Sequence, residues 1–334
     1  MKPTTRRQFL SLFSAAATAP VLAPLLARTA SAQASAPAWP TKPIRIIVPL
    51  TPGSASDVMA RIVADQLAAQ LGQPIIVENR PGAGNTIGMS AVAKAEPDGY
   101  TILVNSSTHT VTPATRSNLG FEMTDLAAVI PLGNMPVVMI FNPSKGYKKL
   151  GDFVAYAKAN SGKINYTSAG AGNSSHLNGE RFRLAAGIEA VHLPFKGAPE
   201  ATTEVIAGRA DFYFSPLVNA LSLIKEGTVQ ALAVSGSARA SALPDVPTTV
   251  EAGYPNSEYN FWVGMFAPAK TPADVRAKLY AESAKALQSP ATRERLAGLG
   301  ADPMRLNSAQ FEALVKTEIE TNTQLVKAAG IKVN

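Results

Sequence analysis

The chain has 334 residues, of which 46% are hydrophobic and 16% charged, and it contains no cysteine. This composition is typical of a globular protein long enough for two lobes. The lack of cysteine excludes disulfides, thiolate metal sites, thiol nucleophiles and a cysteine-linked lipid anchor. The formal net charge is +7, but the first 32 residues hold four basic residues and no acidic one. The remainder is therefore only about +3, with no long basic run that would indicate nucleic-acid binding.

The N-terminus has the features of an export signal. The pair Arg6-Arg7 precedes an apolar stretch, Phe9 to Leu26, and Ala30-Ser31-Ala32 supplies small residues for a signal peptidase. A membrane anchor is the alternative, but the stretch is short for a span and two prolines interrupt it. We expect residues 1–32 to be a twin-arginine-type signal peptide, and the mature protein to be soluble in the periplasm.

From Lys42 onward, apolar runs alternate with amphipathic stretches, which predicts an α/β class. Apolar runs predict strands at 44–48, 75–77, 100–104, 137–141, 164–167, 191–195, 210–214 and 230–234. Helical spacing predicts helices at 58–72, 86–95, 150–160, 176–186, 200–207, 272–288 and 308–329.

Two Gly-rich turns nearly repeat one another. Gly82-Ala83-Gly84-Asn85 and Gly170-Ala171-Gly172-Asn173 each follow a strand and open a helix, and the turn from Pro49 to Ser56 does the same. We number these corners in chain order: the first at 49–56, the second at 82–85 and the third at 170–173. Ligands of open α/β sheets bind at the carboxyl ends of strands, where helix N-termini suit anions. The corners predict an anion clasped between two lobes, although helix capping alone also explains turns of this kind.

The first and second corners supply one set of candidate ligand-binding residues. We expect backbone N–H groups and small side chains of the first corner to receive a carboxylate, directly or through water: Thr51, Ser54, Ala55 and Ser56. Asp57 is either a helix cap or a ligand contact. Thr86 is expected to donate from the second corner.

The opposing wall is expected to come from the third corner, with Ser168, Ala169, Gly170, Asn173 and Ser174. Further candidates follow the other strands: Ser107, Thr108, His109, His176, Lys196 and Asp211.

Each of these further candidates has an alternative role. The three residues after the third predicted strand either line the cleft or form a surface loop. His176 either contacts the ligand or is a structural or capping residue of its helix, and Lys196 either meets a second carboxylate or is a solvated turn lysine. Asp211 is expected to anchor the far end of the ligand or to bridge the lobes.

Enzyme signatures are missing from the sequence. It contains no nucleophile elbow, no H-E-x-x-H motif, no P-loop and no correctly spaced dinucleotide fingerprint, and its three histidines are scattered. We therefore expect no catalytic residue, no metal and no cofactor. A ligand-sensing receptor with a membrane signalling partner is one alternative, and a periplasmic α/β enzyme acting on a carboxylate is another.

An ordered series of short motifs resembles the Bug family, the substrate-binding proteins of bacterial tripartite tricarboxylate transporters. The motifs span about 39–326, and they are Trp39-Pro40, Ile47-Val48-Pro49, Glu78-Asn79-Arg80-Pro81-Gly82-Ala83-Gly84, Pro97-Asp98-Gly99-Tyr100, Ser175-His176-Leu177, His192-Leu193-Pro194-Phe195-Lys196-Gly197 and Pro244-Asp245-Val246-Pro247. The chain departs from the family at Ser54 and Asn85, where glycine is common.

The resemblance implies a two-lobed type II periplasmic-binding-protein fold, each lobe a mixed sheet flanked by helices, with two interlobe crossovers. It implies lobe 1 at 42–139 and 256–334, and lobe 2 at 140–255. It also implies binding without chemistry: a di- or tricarboxylate or an aromatic acid is held and passed to the integral-membrane components of a tripartite tricarboxylate-type transporter. We expect the protein to act as a monomer.

Overall fold

The structure is a computed structural model that describes residues 39–331, so the expected signal peptide lies outside the described residues. Within that range the strands are β1 (Ile44–Val48), β2 (Ile75–Asn79), β3 (Thr101–Ser106), β4 (Leu126–Met135), β5 (Val137–Phe141), β6 (Asn165–Ser168), β7 (Val191–Pro194), β8 (Phe212–Pro216), β9 (Gln230–Val234) and β10 (Phe261–Pro268). The α-helices are α1 (Ala55–Leu71), α2 (Thr86–Ala93), α3 (Thr108–Thr115), α4 (Leu150–Ala159), α5 (Ser174–Ala186), α6 (Ala198–Ile206), α7 (Leu217–Lys225), α8 (Ala273–Gln288), α9 (Pro290–Gly298) and α10 (Ser308–Ala329).

The strands form two mixed five-stranded sheets, one in each lobe. The first has the order β2-β1-β3-β10-β4, and the second has the order β7-β6-β8-β5-β9. In the first sheet β1 runs parallel to β2 and β3, and in the second β6 runs parallel to β7 and β8. The parallel strands bring the predicted corners of each lobe to one edge of its sheet. This architecture confirms the predicted two-lobed α/β fold.

The chain crosses between the sheets twice. β4 and β5 are separated only by Pro136, so the expected boundary at 139/140 falls inside β5, which already belongs to the second sheet. The return segment between β9 and β10 lies beside the first crossing, because Ser235 N donates to Val137 O at 2.8 Å and Tyr259 N to Ser235 O at 2.6 Å. Two segments of the chain that lie side by side therefore connect the lobes.

Apolar packing explains why the sheets form where they do. Ile44, Ile46 and Val48 are buried because parallel strands are covered by helices on both faces. The second lobe has an aromatic core in which Phe141 and Phe212 pack around Phe153. These packed cores fix the strands and helices that the corners connect. No helix in the described part of the chain is long and apolar enough to cross a membrane.

Candidate functional site

A small cavity of about 30 Å³ lies where the corners of the two lobes meet. It is lined by Leu50, Ser54, Ala55, Ser106, Thr108, Ala169, Asn173, Ser174, Ser175, Ala198, Tyr213, Pro216 and Phe261. These described lining residues include no charged side chain. This leaves room for only about two or three water molecules, so a larger ligand needs the lobes to separate.

The first wall is the N-terminus of α1. Ser54 is its N-cap, and its Oγ accepts a hydrogen bond from Asp57 N at 3.4 Å. The N–H groups of Ala55 and Ser56 belong to the first turn, which offers them no intrahelical acceptor. This end of the helix therefore presents free donors and a partial positive charge to the cavity.

The second wall is the N-terminus of α5. Asn173 is its N-cap, with Oδ1 accepting from His176 N at 3.0 Å and from Ser175 Oγ at 2.9 Å. The Ser175 hydroxyl also accepts Ala169 N–H at 2.9 Å. The local sequence Asn-Ser-Ser thus shapes the turn and leaves small polar groups facing the first wall.

Hydrogen bonds join the two lobes directly. Thr108 Oγ1, at the start of α3, donates to Ser174 Oγ at 2.9 Å and accepts from Ser174 N at 3.1 Å. Asn219 Nδ2, on α7 of the second lobe, donates to Gly53 O of the first lobe at 2.6 Å. Thr51 Oγ1 lies so close to Gly197 that a Cβ added at Gly197 would stand 2.0 Å from it. The structure is therefore a closed arrangement of the lobes.

Tyr213 brings to the cavity a polar group that the sequence did not indicate. Its side chain is fully buried in β8, and its hydroxyl makes no close hydrogen bond among the described residues, although the Ser175 hydroxyl lies near enough to interact with it. Burial raises the pKa of Tyr213, so the phenol stays neutral and keeps its proton for donation. A ligand acceptor in the cavity would satisfy this hydroxyl.

Comparison with known proteins identifies the family and the fold. The family described as the tripartite tricarboxylate transporter family receptor matches residues 59–331. The chain belongs to this receptor family. It is 35% identical to protein BugT of Bordetella pertussis over 307 residues, which cover 90% of this chain and 94% of BugT.

Solved structures of related receptors have the same fold. The periplasmic binding protein BugD is 32% identical, with a TM-score of 0.84 that covers 89% of this receptor and 100% of BugD. MatC from Rhodopseudomonas palustris, solved with bound malate, is 32% identical, with a TM-score of 0.81 over 86% of this receptor and 99% of MatC. The resemblance inferred from sequence motifs is thereby confirmed.

Six of the residues expected at the site lie in the receptor's cavity wall, and they come from both lobes: Ser54, Ala55, Thr108, Ala169, Asn173 and Ser174. Thr51 and Ser56 lie beside it, with buried hydroxyl oxygens that have no partner among the described residues. The predicted corners therefore do converge, although the second corner contributes none of the lining residues.

Three expected contacts lie elsewhere in the receptor. Thr86 Oγ1 donates to Ala83 O at 2.9 Å, and Lys196 is exposed to solvent. Asp211 precedes β8 at the end away from the cavity, where Oδ1 accepts from Lys145 at 2.9 Å and Oδ2 from Asn165 N at 2.8 Å. Local partners occupy the side chains of Thr86 and Asp211, Lys196 lies in solvent, and none of the three lines the cavity.

The residues after β3 form a buried helix rather than a surface loop. His109 is 1% exposed and stacks on Phe266 at 3.9 Å between ring centroids. Burial lowers the pKa of His109 to about 3, so its ring is neutral. The Ser107 hydroxyl lies 3.5 Å from the Tyr259 hydroxyl. Of the three residues, only Thr108 reaches the cavity.

Asp57 stabilises the first corner from behind and does not line the cavity. Its carboxylate accepts Gly53 N–H at 2.9 Å, Asn79 Nδ2 at 3.0 Å and Arg61 Nε at 3.0 Å. Burial raises its pKa, but the hydrogen bonds from Arg61, Gly53 and Asn79 together outweigh burial and leave the pKa lowered. The carboxylate is therefore charged and fully used in holding the turn.

Replacing Asp57 by Ala is expected to destabilise the receptor by about 2–4 kcal/mol, because three donors around a buried carboxylate lose their acceptor. Urea unfolding at pH 7 measures the loss. Asp65→Ala on the same helix is the matched control, since Asp65 is 68% exposed in its ion pair with Arg295 and such pairs contribute about 1 kcal/mol or less. Equal losses in the two variants would contradict the assigned role.

Proposed function

We propose that this receptor is a periplasmic solute-binding protein that captures a small carboxylate between its lobes and delivers it to a tripartite tricarboxylate-type membrane transporter. The observation that carries the proposal is the cavity at which the N-termini of α1 and α5 converge, with no charged side chain among its described lining residues. Twin helix N-termini favour an anion, and the absence of carboxylates from the wall removes any partner for a cationic ligand.

The available donors are sufficient for useful affinity. A hydrogen bond to a charged group contributes about 1.5–3 kcal/mol, and a micromolar complex needs about 8 kcal/mol. First-turn N–H groups of Ala55 and Ser56, with the hydroxyls of Ser174 and Tyr213, supply four such donors before ordering costs are counted. Malate in the related MatC supports a dicarboxylate ligand, and tricarboxylates or aromatic acids remain in the proposed class.

Family membership supports the transport role, and the Arg6-Arg7 motif supports export to the periplasm. In this proposal the receptor acts as a monomer without metal, cofactor or catalytic residue and passes on its ligand unchanged. Nuclear magnetic resonance of the ligand recovered after overnight incubation tests this directly, because any chemical conversion would indicate an enzyme.

A thermal-shift panel tests the ligand class. L-Malate, succinate, citrate and benzoate are compared with lysine and glucose, each at millimolar concentration. A ligand at about 100 times its Kd stabilises the folded state by about 2.7 kcal/mol, which gives a clear rise in melting temperature. A rise with lysine or glucose and with none of the carboxylates would overturn the proposal.

Replacing Ser174 by Ala is expected to lower the affinity for the carboxylate that gives the largest thermal shift by about tenfold. The reason is that one hydroxyl donor and the hydrogen bond to Thr108 are lost. Isothermal titration calorimetry measures the change. Ser144→Ala, at an exposed position of the same lobe, is the control and should bind like the unmodified protein. Unchanged affinity in Ser174→Ala would move the site away from α5.

A further inference from the structure

The loop between β6 and α5, residues 169–173, carries part of the cavity wall but has an unusual backbone. Ala169 and Asn173 line the cavity, while Gly170 and Gly172 between them have φ of +140° and +72°. Two glycines in such conformations lower the steric barrier to other arrangements. Something outside the loop must therefore hold it in the shape that presents α5 to a ligand.

Two histidines behind the loop make those contacts, and neither lines the cavity. His192 Nε2 lies 2.6 Å from Ser168 Oγ, which in turn donates to Gly170 O at 3.0 Å and accepts Gly170 N–H at 3.2 Å. His176 Nδ1 accepts Gly172 N–H at 3.1 Å. The two rings stack with centroids 3.8 Å apart and planes 6° apart. The stacked pair thus holds both ends of the loop.

The contact to Gly172 determines the protonation of His176. A backbone N–H can only donate, so Nδ1 must carry no proton and the neutral ring must carry its proton on Nε2. Burial lowers the pKa of His176 to about 4, against a smaller opposing effect of Glu180. The Glu180 carboxylate is itself bonded to Tyr166 and Arg183, at 2.7 Å and 2.8 Å.

We propose that His176 and His192 are positioning residues that hold the β6–α5 loop in its ligand-binding shape, with His176 acting through its unprotonated Nδ1. The inference rests on the proposed function, since the loop matters only if the cavity binds ligand. In this role His176 does not touch the ligand and does not cap its own helix. It supports the part of the cavity wall that touches the ligand.

Two substitutions at position 176 separate an acceptor from mere bulk. His176→Asn keeps an oxygen acceptor close to the place of Nδ1, whereas His176→Leu fills the space without one. We expect His176→Leu to weaken L-malate binding at least tenfold and His176→Asn to stay within threefold of the unmodified protein, measured by calorimetry at pH 7.5. Phe182→Leu, a buried change on the same helix, is the control for lost stability and should leave affinity within threefold.

Measurements on the ligand-free protein make the test independent of the ligand. The Gly172 amide should exchange slowly with deuterium in the unmodified protein and in His176→Asn, and at least tenfold faster in His176→Leu. The ¹⁵N resonance of His176 Nδ1 should be that of an unprotonated ring nitrogen at pH 7.5. A protonated Nδ1, or equal exchange in both variants, overturns the positioning role. If L-malate does not bind at all, only the proposed function fails, and the exchange data still decide the role of His176.

Discussion

Replacing Gly197 by Val is expected to weaken carboxylate binding at least 100-fold while leaving the lobes folded. Gly197 follows β7 in the second lobe, and a Cβ placed there would lie 2.0 Å from Thr51 Oγ1 of the first lobe. The backbone at Gly197 is extended, with φ −168° and ψ 174°, so a side chain causes no local strain. Within its own lobe the Cβ would also lie 3.0 Å from Glu200 Oε2, which is the end of a flexible, exposed side chain that can move away. The severe clash with Thr51 therefore arises when the lobes close, and closing is what buries the ligand. Calorimetry with L-malate and thermal melting of the ligand-free protein measure the two effects.

A compensating change distinguishes obstruction of closure from other damage. In Gly197→Ala the added Cβ meets the Thr51 oxygen, and Thr51→Ala removes that oxygen while leaving a contact of 3.2 Å between the two Cβ atoms. We expect the double variant to bind more tightly than Gly197→Ala alone. The two substitutions together then cost less binding free energy than the sum of their separate costs. Gly151→Val is the control, because Gly151 lies in the same lobe and the nearest atom to a Cβ added there is Lys149 Cε at 4.0 Å. Binding by Gly197→Val as tight as that of the unmodified protein would show that this contact is not needed.

The corners of the fold were predictable because their signals are local. Ser54 and Asn173 act as N-caps through side chains only three residues from the N–H groups they accept, and glycine supplies the positive φ of the intervening turns. Parallel pairing then carries these corners to one sheet edge. Sequence reasoning could follow each of these steps without knowing the neighbours of any strand.

The missing part of the wall depends on long-range pairing. Tyr213 reaches the cavity because β8 lies between β6 and β5, and Phe261 because β10 returns from the second lobe into the first sheet. Nothing within a few residues of either side chain specifies these neighbours. Conversely, His109 and Asp211 have suitable chemistry but are paired with Phe266 and Lys145, partners that only the folded chain brings near.

Stability is expected to fall steeply as the pH drops from 6.5 to 4.5, because His109 and His176 are buried, His192 is partly buried, and all three rings are neutral. Burial lowers the pKa of His109 to about 3, that of His176 to about 4 and that of His192 to about 3, from an ordinary 6.5. The unfolded chain binds these protons first, so this stability is present above pH 6.5 and is lost below it. Each histidine contributes about 1.4 kcal/mol per pH unit in this range.

One carboxyl group acts in the opposite direction. Burial raises the pKa of Glu318 to about 7, although Trp262 and Thr110 donate to it, so its contribution is present below pH 4.5 and is lost as the pH rises through 7. With three histidines opposed by one glutamate, the free energy of unfolding falls by about 3 kcal/mol for each pH unit of acidification where the groups titrate fully. Between pH 6.5 and 4.5 the total fall is about 5 kcal/mol. That is comparable to the whole stability of many domains. Urea midpoints across this range measure it.

Single substitutions assign the slope to particular groups. His109→Phe keeps a ring against Phe266 and removes one of the three histidines that Glu318 opposes, so its stability should change with pH about half as much as that of the unmodified protein. Glu318→Gln removes the opposing group, so its stability should fall more steeply on acidification. Comparing each variant with itself at two pH values cancels the cost of repacking. A pH dependence that neither variant alters would mean that the histidines and Glu318 do not control acid stability, and that exposed carboxylates do.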